Sequence, residues 1–126
     1  PVGEWVDRLE KDRELNRVRV VEDEVDDDPA GQEARVAYRR LRKVGRDTLI
    51  ELRPMTGRGH QLRVQLASRG MPIAGDRKYG SNVRVSASDG GSRILLHAKE
   101  IVFTHPTTRE EISIAASLPE DWPSSL

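Results

Sequence analysis

The sequence predicts an α+β fold in which a mostly antiparallel or mixed sheet carries one principal helix. Two β-rich runs, 34–44 and 48–53, flank a G-R-D turn at 45–47, which is the spacing of a β-hairpin. Residues 59–69 then show the apolar period of a helix. With 36% hydrophobic and 33% charged residues, the 126-residue chain suffices for one domain, 1–126, around a modest core.

The elements before the hairpin are less regular. Residues 5–15 are mixed and polar and predict an irregular or short helical lead-in. Val18 and Val20 alternate with arginines and predict a strand. An acidic block follows and predicts a mobile loop within the domain; it consists of Glu22, Asp23, Glu24, Asp26, Asp27 and Asp28.

After the hairpin, Pro54 ends the second strand because it has no amide hydrogen to donate. The principal helix is predicted over 59–69, with Thr56 as a candidate cap and Gly70 as the residue that follows its C-cap. Two leucines one turn apart are expected to face the sheet: Leu62 and Leu66. Three residues share a neighbouring face: His60, Arg63 and Ala67.

The last third of the chain predicts a loop and a second hairpin. Residues 81–92 are rich in Ser, Gly and Asn and indicate a flexible loop. Residues 94–103 predict a strand, 104–110 a turn and 111–115 a final strand. We expect Trp122 to pack against the core.

Composition narrows the class of protein. The absence of cysteine excludes disulfides and thiolate metal sites and fits a reducing compartment. No apolar run approaches the roughly 20 residues that cross a bilayer, and no signal-peptide pattern is present. We therefore expect a cytoplasmic protein without a membrane partner.

Charge is distributed unevenly although the net charge is zero. Between residues 35 and 63 the sequence contains only two acidic residues, Asp47 and Glu51, but nine basic residues. These are Arg35, Arg39, Arg40, Arg42, Lys43, Arg46, Arg53, Arg58 and Arg63. This basic stripe is typical of a surface that follows nucleic-acid phosphates. A strand face that is solvated, or paired with the acidic block, explains the charges equally well.

The most informative segment is 54–64, with the sequence P-M-T-G-R-G-H-Q-L-R-V. It places a cluster of donors at a strand-to-helix junction, where an anionic group can be held. It resembles the P-x-T-G-R-x-H-Q-[IL]-R-V signature of the RluA-type RNA pseudouridine synthases. Residues 70–80 resemble that family's second motif, G-x-P-I-x-G-D-x-x-Y-G. The sequences L-L-H-A at 95–98 and F-T-H-P at 103–106 resemble the two elements of its third motif, L-L-H-A and F-x-H-P.

The resemblance implies the C-terminal part of a pseudouridine synthase catalytic domain, acting on uridines of rRNA or tRNA without a metal or organic cofactor. It also implies that Arg63 pairs with the catalytic aspartate and keeps it ionised; the alternative is a helix-surface arginine in water. Candidate RNA-binding residues are Thr56, Arg58, His60, Gln61 and Arg53. For Thr56 and Arg58, a helix-entry turn that merely needs glycine is an alternative.

The family's R-L-D-x-x-T-S-G motif, which carries the catalytic aspartate, has no counterpart in these 126 residues. The nearest sequence is R-L-E at 8–10, where Glu10 fits a solvated face, and Tyr38 lies too close to the T-G-R turn to be the family's active-site tyrosine. Because the chain opens with Pro1, we expect a C-terminal portion of a synthase. Because it lacks the catalytic aspartate of the family, we expect this portion to be inactive alone. A non-catalytic RNA-binding module is the alternative; an unrelated protein-interaction domain would require three accidental matches.

The second motif is expected to be structural. Asp76 is predicted to bond backbone amides in its turn, and Tyr79 to pack. His97 fits a satisfied core or subunit-packing histidine, and the three histidines are too dispersed for a metal site: His60, His97 and His105.

Three residues depart from the family pattern. Gly59 stands where threonine or serine is usual, and Gln65 and Met71 stand where histidine often occurs. None replaces Arg63, so the departures bear on substrate contacts rather than on membership.

Overall fold

A computed structural model describes residues 2–21, 31–119 and 122 of the chain. Within these residues the elements follow in order: β1 (Val2–Asp12), β2 (Arg17–Val21), β3 (Gln32–Val44), β4 (Asp47–Pro54), α1 (Gln61–Ser68), a single 3-10 turn (Arg77–Tyr79), β5 (Val85–Ser86), β6 (Ser92–Arg93), β7 (Glu100–Thr104) and β8 (Glu111–Ala115). The predicted acidic loop lies outside the described residues.

The main sheet has four strands in the order β2-β1-β3-β4, and every neighbouring pair is antiparallel. Two short antiparallel pairs, β5-β6 and β7-β8, follow the helix. With one α-helix among the described residues, the predicted α+β class is confirmed. That helix is too short to cross a bilayer.

The predicted lead-in over 5–15 is wrong, because Val2–Asp12 forms a central strand that pairs with both β2 and β3. Along part of this strand, a polar residue faces inward and an apolar residue faces outward. Asp7 faces the helix, where it binds the side chains of Gln65 and Arg69, whereas Val6 on the other face is exposed. A polar residue at an inward position therefore hides the strand period from a hydrophobicity pattern.

The β3–β4 hairpin and β2 are confirmed as predicted, and Pro54 is the last residue of β4. Gly45 has φ 61° at the hairpin turn, a conformation that glycine adopts without steric cost. A register shift between Arg40 and Arg42 marks a bulge in β3.

Helix α1 packs Val64 into the core of the main sheet. The rest of this core consists of Leu9, Val18, Ala34 and Tyr79. Leu66 is buried as predicted, but Leu62 is only half-buried and does not belong to the core cluster. Gln61 and Gln65, which are also buried, occupy the inward face of the helix in place of a second leucine. Their side-chain amides donate to the carbonyls of Arg35 and Ala34 and so bind the helix to β3.

The helix is shorter than the predicted 59–69. His60 is the N-cap, and within the described residues no side chain caps this end, so the predicted Thr56 cap is wrong. The C-terminal prediction is confirmed: Gly70, at φ 74°, donates to the Ala67 carbonyl and Met71 donates to the Leu66 carbonyl. These two bonds form a Schellman motif.

In the last third, β8 is confirmed, but the predicted strand over 94–103 begins too early, because β7 starts at Glu100. Before it, the Leu95 amide donates to the Ala74 carbonyl at 2.9 Å and so ties this segment to the turn after the helix. The predicted loop over 81–92 contains β5 and the start of β6. Trp122 is half-buried and contacts His97 and Arg93 rather than the core cluster, so its predicted core packing is wrong.

Candidate active-site cleft

An open cleft of about 270 Å³ lies at the N-terminal end of α1. It is lined by Pro54, Thr56, Gly57, Arg58, His60, Gln61, Leu62, Arg63 and Leu96. The fold therefore brings together every predicted site residue except Arg53. That side chain does not line the cleft; it is 78% exposed and pairs with Glu51 at 3.4 Å.

Gln61 organises the turn that forms one wall of the cleft. It is 4% exposed. Its Oε1 accepts hydrogen bonds from the Thr56 hydroxyl at 2.7 Å and from the Arg58 amide at 3.1 Å, and its Nε2 donates to the Arg35 carbonyl at 3.1 Å. The Thr56 hydroxyl in turn accepts from the Arg35 amide at 2.9 Å. These bonds fix the turn against β3 and leave the Gln61 amide largely occupied; its predicted contact with RNA stays a prediction.

Arg58 is anchored at one nitrogen. Its Nε donates to the Glu33 carbonyl at 2.7 Å. Among residues 2–21, 31–119 and 122, its two terminal nitrogens have no hydrogen-bond partner. The guanidinium is thus oriented by the strand and keeps four N–H donors for an anion in the cleft.

Arg63 forms a two-bond fork with Asp76. Nε and Nη2 of the arginine donate to the two carboxylate oxygens at 2.9 and 2.8 Å. Asp76 is 0% exposed and the Arg63 side chain 20%. The hydrogen bond to Asp76 raises the pKa of Arg63, so this residue is a permanent cation. The prediction that Asp76 bonds backbone amides is wrong: its side chain caps no amide of the following turn.

The fork uses only one edge of the guanidinium. Guanidinium carries five N–H donors, and the Asp76 carboxylate takes two of them. The remaining donors, two on Nη1 and one on Nη2, have no partner within the described part of the chain. Arg63 can therefore hold a second carboxylate, or a phosphate, while Asp76 keeps its plane fixed.

His60 is held by Tyr79. The Nδ1 atom of the imidazole lies 2.5 Å from the Tyr79 hydroxyl, which also accepts a hydrogen bond from the Val18 amide at 3.1 Å. Tyr79 is 6% exposed and belongs to the core, so the packing prediction is confirmed and a polar role is added. Burial lowers the pKa of His60, and the charges of Arg63 and Lys78 lower it further.

The two motifs therefore interlock side chain by side chain. Arg63 binds Asp76 and His60 binds Tyr79, while the Arg63 guanidinium also lies 4.9 Å from the centre of the Tyr79 ring. The spacing in the sequence indicates part of this arrangement: His60 and Arg63, which were predicted to share a face, stand three residues apart, and so do Asp76 and Tyr79 in the second motif. Because both pairs sit on helical turns, a spacing of three puts each pair on one face.

Gly75 brings the second motif close to a neighbouring segment. Its φ is 88°, and a Cβ at this position would lie 2.1 Å from the Arg93 carbonyl oxygen. Only glycine fits there. Asp76, which binds Arg63, directly follows this close approach in the chain.

The basic stripe is partly neutralised within the fold. Arg35 pairs with Glu4 and Glu33, and Arg39 and Arg53 both pair with Glu51. Three exposed cations at the end of the β3–β4 hairpin have no ion-pair or hydrogen-bond partner among the described residues: Arg40, Lys43 and Arg46. We call these three the hairpin cations. Among all the residues that the structure describes, no three His, Asp or Glu side chains lie close enough together to hold a metal ion.

Comparisons with known proteins agree with the motifs. No protein-family model matches the chain. The chain is 38% identical over 110 residues to the tRNA pseudouridine synthase C of Pasteurella multocida, covering 76% of this chain and 45% of that protein. It is 39% identical over 107 residues to the tRNA pseudouridine synthase C of Haemophilus ducreyi, covering 74% and 44%.

A third relative is named for a different RNA. The ribosomal large subunit pseudouridine synthase C of Vibrio vulnificus is 37% identical over 94 residues, which cover 73% of this chain and 30% of that protein. The chain thus spans less than half the length of these three relatives. From these identities and the three ordered motifs, the chain belongs to the RluA-type RNA pseudouridine synthase family.

Proposed function

We propose that this chain forms the Arg63 side of the active site of an RNA pseudouridine synthase that isomerises uridines of tRNA or rRNA. The observation that carries the proposal is the half-used guanidinium of Arg63, fixed by Asp76 at the edge of a cleft that Thr56, Arg58 and His60 also line. Such a group suits a carboxylate that approaches from outside these 126 residues.

In this proposal the chain supplies binding and electrostatics, and the R-L-D-x-x-T-S-G segment of the parent protein supplies the nucleophile. The target uridine leaves its stack, because neither C1′ nor C5 is accessible within a helix. The aspartate breaks the bond between C1′ and N1, by attack on C1′ or by assisting the departure of the uracil, and N1 keeps the electron pair. The uracil rotates, C5 forms the new bond to C1′ and loses its proton, and N1 takes up a proton, so that the product is an isomer of uridine. Arg63 keeps the aspartate ionised, and Arg58 holds a flanking phosphate.

The experiment compares two arginines on the same helical segment. Arg69 forms the same kind of fork, with Asp7 at 2.7 and 3.2 Å, at the far end of α1. In the parent protein, Arg63→Lys should lower the turnover number for pseudouridine formation by roughly 100-fold or more, in line with the loss of a fixed charge at a reacting group. Arg69→Lys should leave it within a few-fold of wild type. Equal losses in both variants would overturn the role of Arg63.

The 126-residue chain alone should form no pseudouridine. Guanidinium has no basic or nucleophilic lone pair at neutral pH, so Arg63 cannot replace the carboxylate. Incubating the isolated chain and the parent protein with the same total RNA tests this. Turnover by the isolated chain would show that a carboxylate within it does the chemistry.

The hairpin cations favour a second candidate function, a non-catalytic RNA-binding module. If they contact phosphates, log Kd should vary with log salt by about 0.7 per phosphate on single strands. Replacing all three by glutamine should reduce that slope by about 2. The matched control neutralises three cations that are already paired: Arg35, Arg39 and Arg53. A flat salt response, or equal effects of both sets, would exclude this surface.

A further inference from the structure

We infer that His60 faces the cleft as a neutral donor protonated on Nε2, and that Tyr79 is the positioning residue that fixes this tautomer. The ligand atom that suits such a donor is an uncharged acceptor oxygen of a nucleotide, such as a base carbonyl. The identity of the ligand rests on the proposed function; the tautomer does not.

The direction of the hydrogen bonds sets the tautomer. The Tyr79 hydroxyl has one proton, and the Val18 amide already donates to its oxygen. If His60 Nδ1 also donated to that oxygen, the buried hydroxyl proton would be left without a partner, at a cost of roughly 1–3 kcal/mol. The hydroxyl therefore donates to Nδ1. A neutral imidazole with an acceptor Nδ1 carries its proton on Nε2.

The surroundings of the ring oppose a second proton. Arg63 and Lys78 lie on the helix and on the 3-10 turn that pack against His60, and Lys11 acts from β1. Among the described residues, Asp76 is the acidic group whose charge favours the imidazolium, but both its oxygens are bound by Arg63. These charges and the burial of the ring keep His60 neutral. In the cleft, Arg58 and Arg63 can therefore bind anionic groups, and His60 can donate a hydrogen bond to an uncharged oxygen.

The ring is also held in position. His60 lies in the left-handed region, at φ 53° and ψ 20°, immediately before α1. Its ring meets the Tyr79 ring edge-on, with centroids 5.5 Å apart. Among the described residues, Nε2 has no hydrogen-bond partner, and the ring lines the cleft. Its N–H is therefore the polar group that His60 offers to a ligand.

Nitrogen-15 NMR of the imidazoles in the isolated chain at pH 7.5 tests the tautomer without RNA or turnover. His60 should show an unprotonated Nδ1 and a protonated Nε2. In Tyr79→Phe the two nitrogen shifts should move toward each other, because Nδ1 loses its donor. The signals of His97 and His105 serve as controls and should not change. A wild-type His60 protonated on Nδ1, or on both nitrogens, would overturn the inference even if Tyr79→Phe fails to fold.

Titration with a uridine-containing RNA hairpin tests the ligand. The His60 Nε2–H signal should shift together with the side-chain N–H signals of Arg58 or Arg63. If the arginine signals shift and His60 does not, the donor role is overturned while RNA binding at the cleft stands. If none of them shifts, the proposed function fails as well, and the tautomer is judged by the first experiment alone.

Discussion

Asp76→Asn is the substitution that tests the architecture of the cleft most directly. It keeps the size and shape of the side chain but removes the charge that binds Arg63. One carboxylate oxygen becomes an amide group, which cannot accept the hydrogen bond from an arginine N–H. A buried amide then faces a guanidinium that is 20% exposed.

The expected loss in the free energy of unfolding follows from the geometry. Two charge-assisted hydrogen bonds at 2.9 and 2.8 Å are removed or weakened, and hydrogen bonds to charged groups contribute about 1.5–3 kcal/mol each. Part of this is offset, because a carboxylate with 0% exposure no longer has to be desolvated. Removal of one partner from a buried pair costs about 3–5 kcal/mol, and the partial exposure of Arg63 favours the lower end. We expect a loss of about 3 kcal/mol.

Urea denaturation followed by circular dichroism measures this loss. Asp7→Asn is the matched control, because Asp7 binds Arg69 on the same segment by a similar fork. Both variants should lower stability, but only Asp76→Asn should weaken RNA binding at the cleft. A change below about 0.5 kcal/mol for Asp76→Asn would refute the reasoning, since surface substitutions produce changes of that size.

Three further predictions concern the cleft and the turn that carries Asp76. Gln61→Leu should lower the free energy of unfolding by roughly 2–3 kcal/mol in urea, since its three hydrogen-bond partners lose their bonds; an unchanged midpoint would contradict this. Gly75→Ala should cost roughly 2–5 kcal/mol, because its Cβ would meet the Arg93 carbonyl, whereas Gly59→Ser, with nothing within 4 Å of a Cβ, should stay within about 0.5 kcal/mol; equal effects would contradict this. Folding lowers the pKa of His60, so the unfolded chain takes up a proton at a higher pH than the folded chain. The free energy of unfolding should therefore fall as the pH drops below about 6.5, and urea denaturation at several pH values should show that His60→Asn removes this part of the fall. An unchanged pH dependence in the variant would contradict the prediction.

The fold was predictable where the hydrophobic pattern agrees with the burial, as in the first half of β3, where Ala34 and Val36 lie two residues apart and are both fully buried. It was not predictable in β1, because Asp7 occupies an inward position and Val6 an outward one. The polar Asp7 is tolerated there because it binds Gln65 and Arg69, which lie more than fifty residues away in sequence. Single-sequence periodicity does not contain that pairing.

The cleft was predictable as a set of residues but not as a set of bonds. Thr56, His60 and Arg63 line it together, as the first motif predicts. The two residues that hold His60 and Arg63, which are Tyr79 and Asp76, were predicted to pack and to form a turn. Hydrogen-bond partners depend on how the 3-10 turn docks on the helix, and that docking follows from long-range contacts which spacing alone does not encode.

The shared guanidinium has a consequence for the charge of the complete site. If the catalytic aspartate also binds Arg63, two carboxylates contact one guanidinium, and the negative charge of each weakens the stabilisation that the cation gives to the other. The surplus negative charge needs compensation nearby. Two cations lie near Tyr79 and His60: the Arg17 guanidinium is 5.3 Å from the centre of the Tyr79 ring, and the charge of Lys78 lowers the pKa of His60. The second motif therefore does more than turn the chain, because Asp76 and Lys78 contribute charges of both signs beside His60 and Arg63.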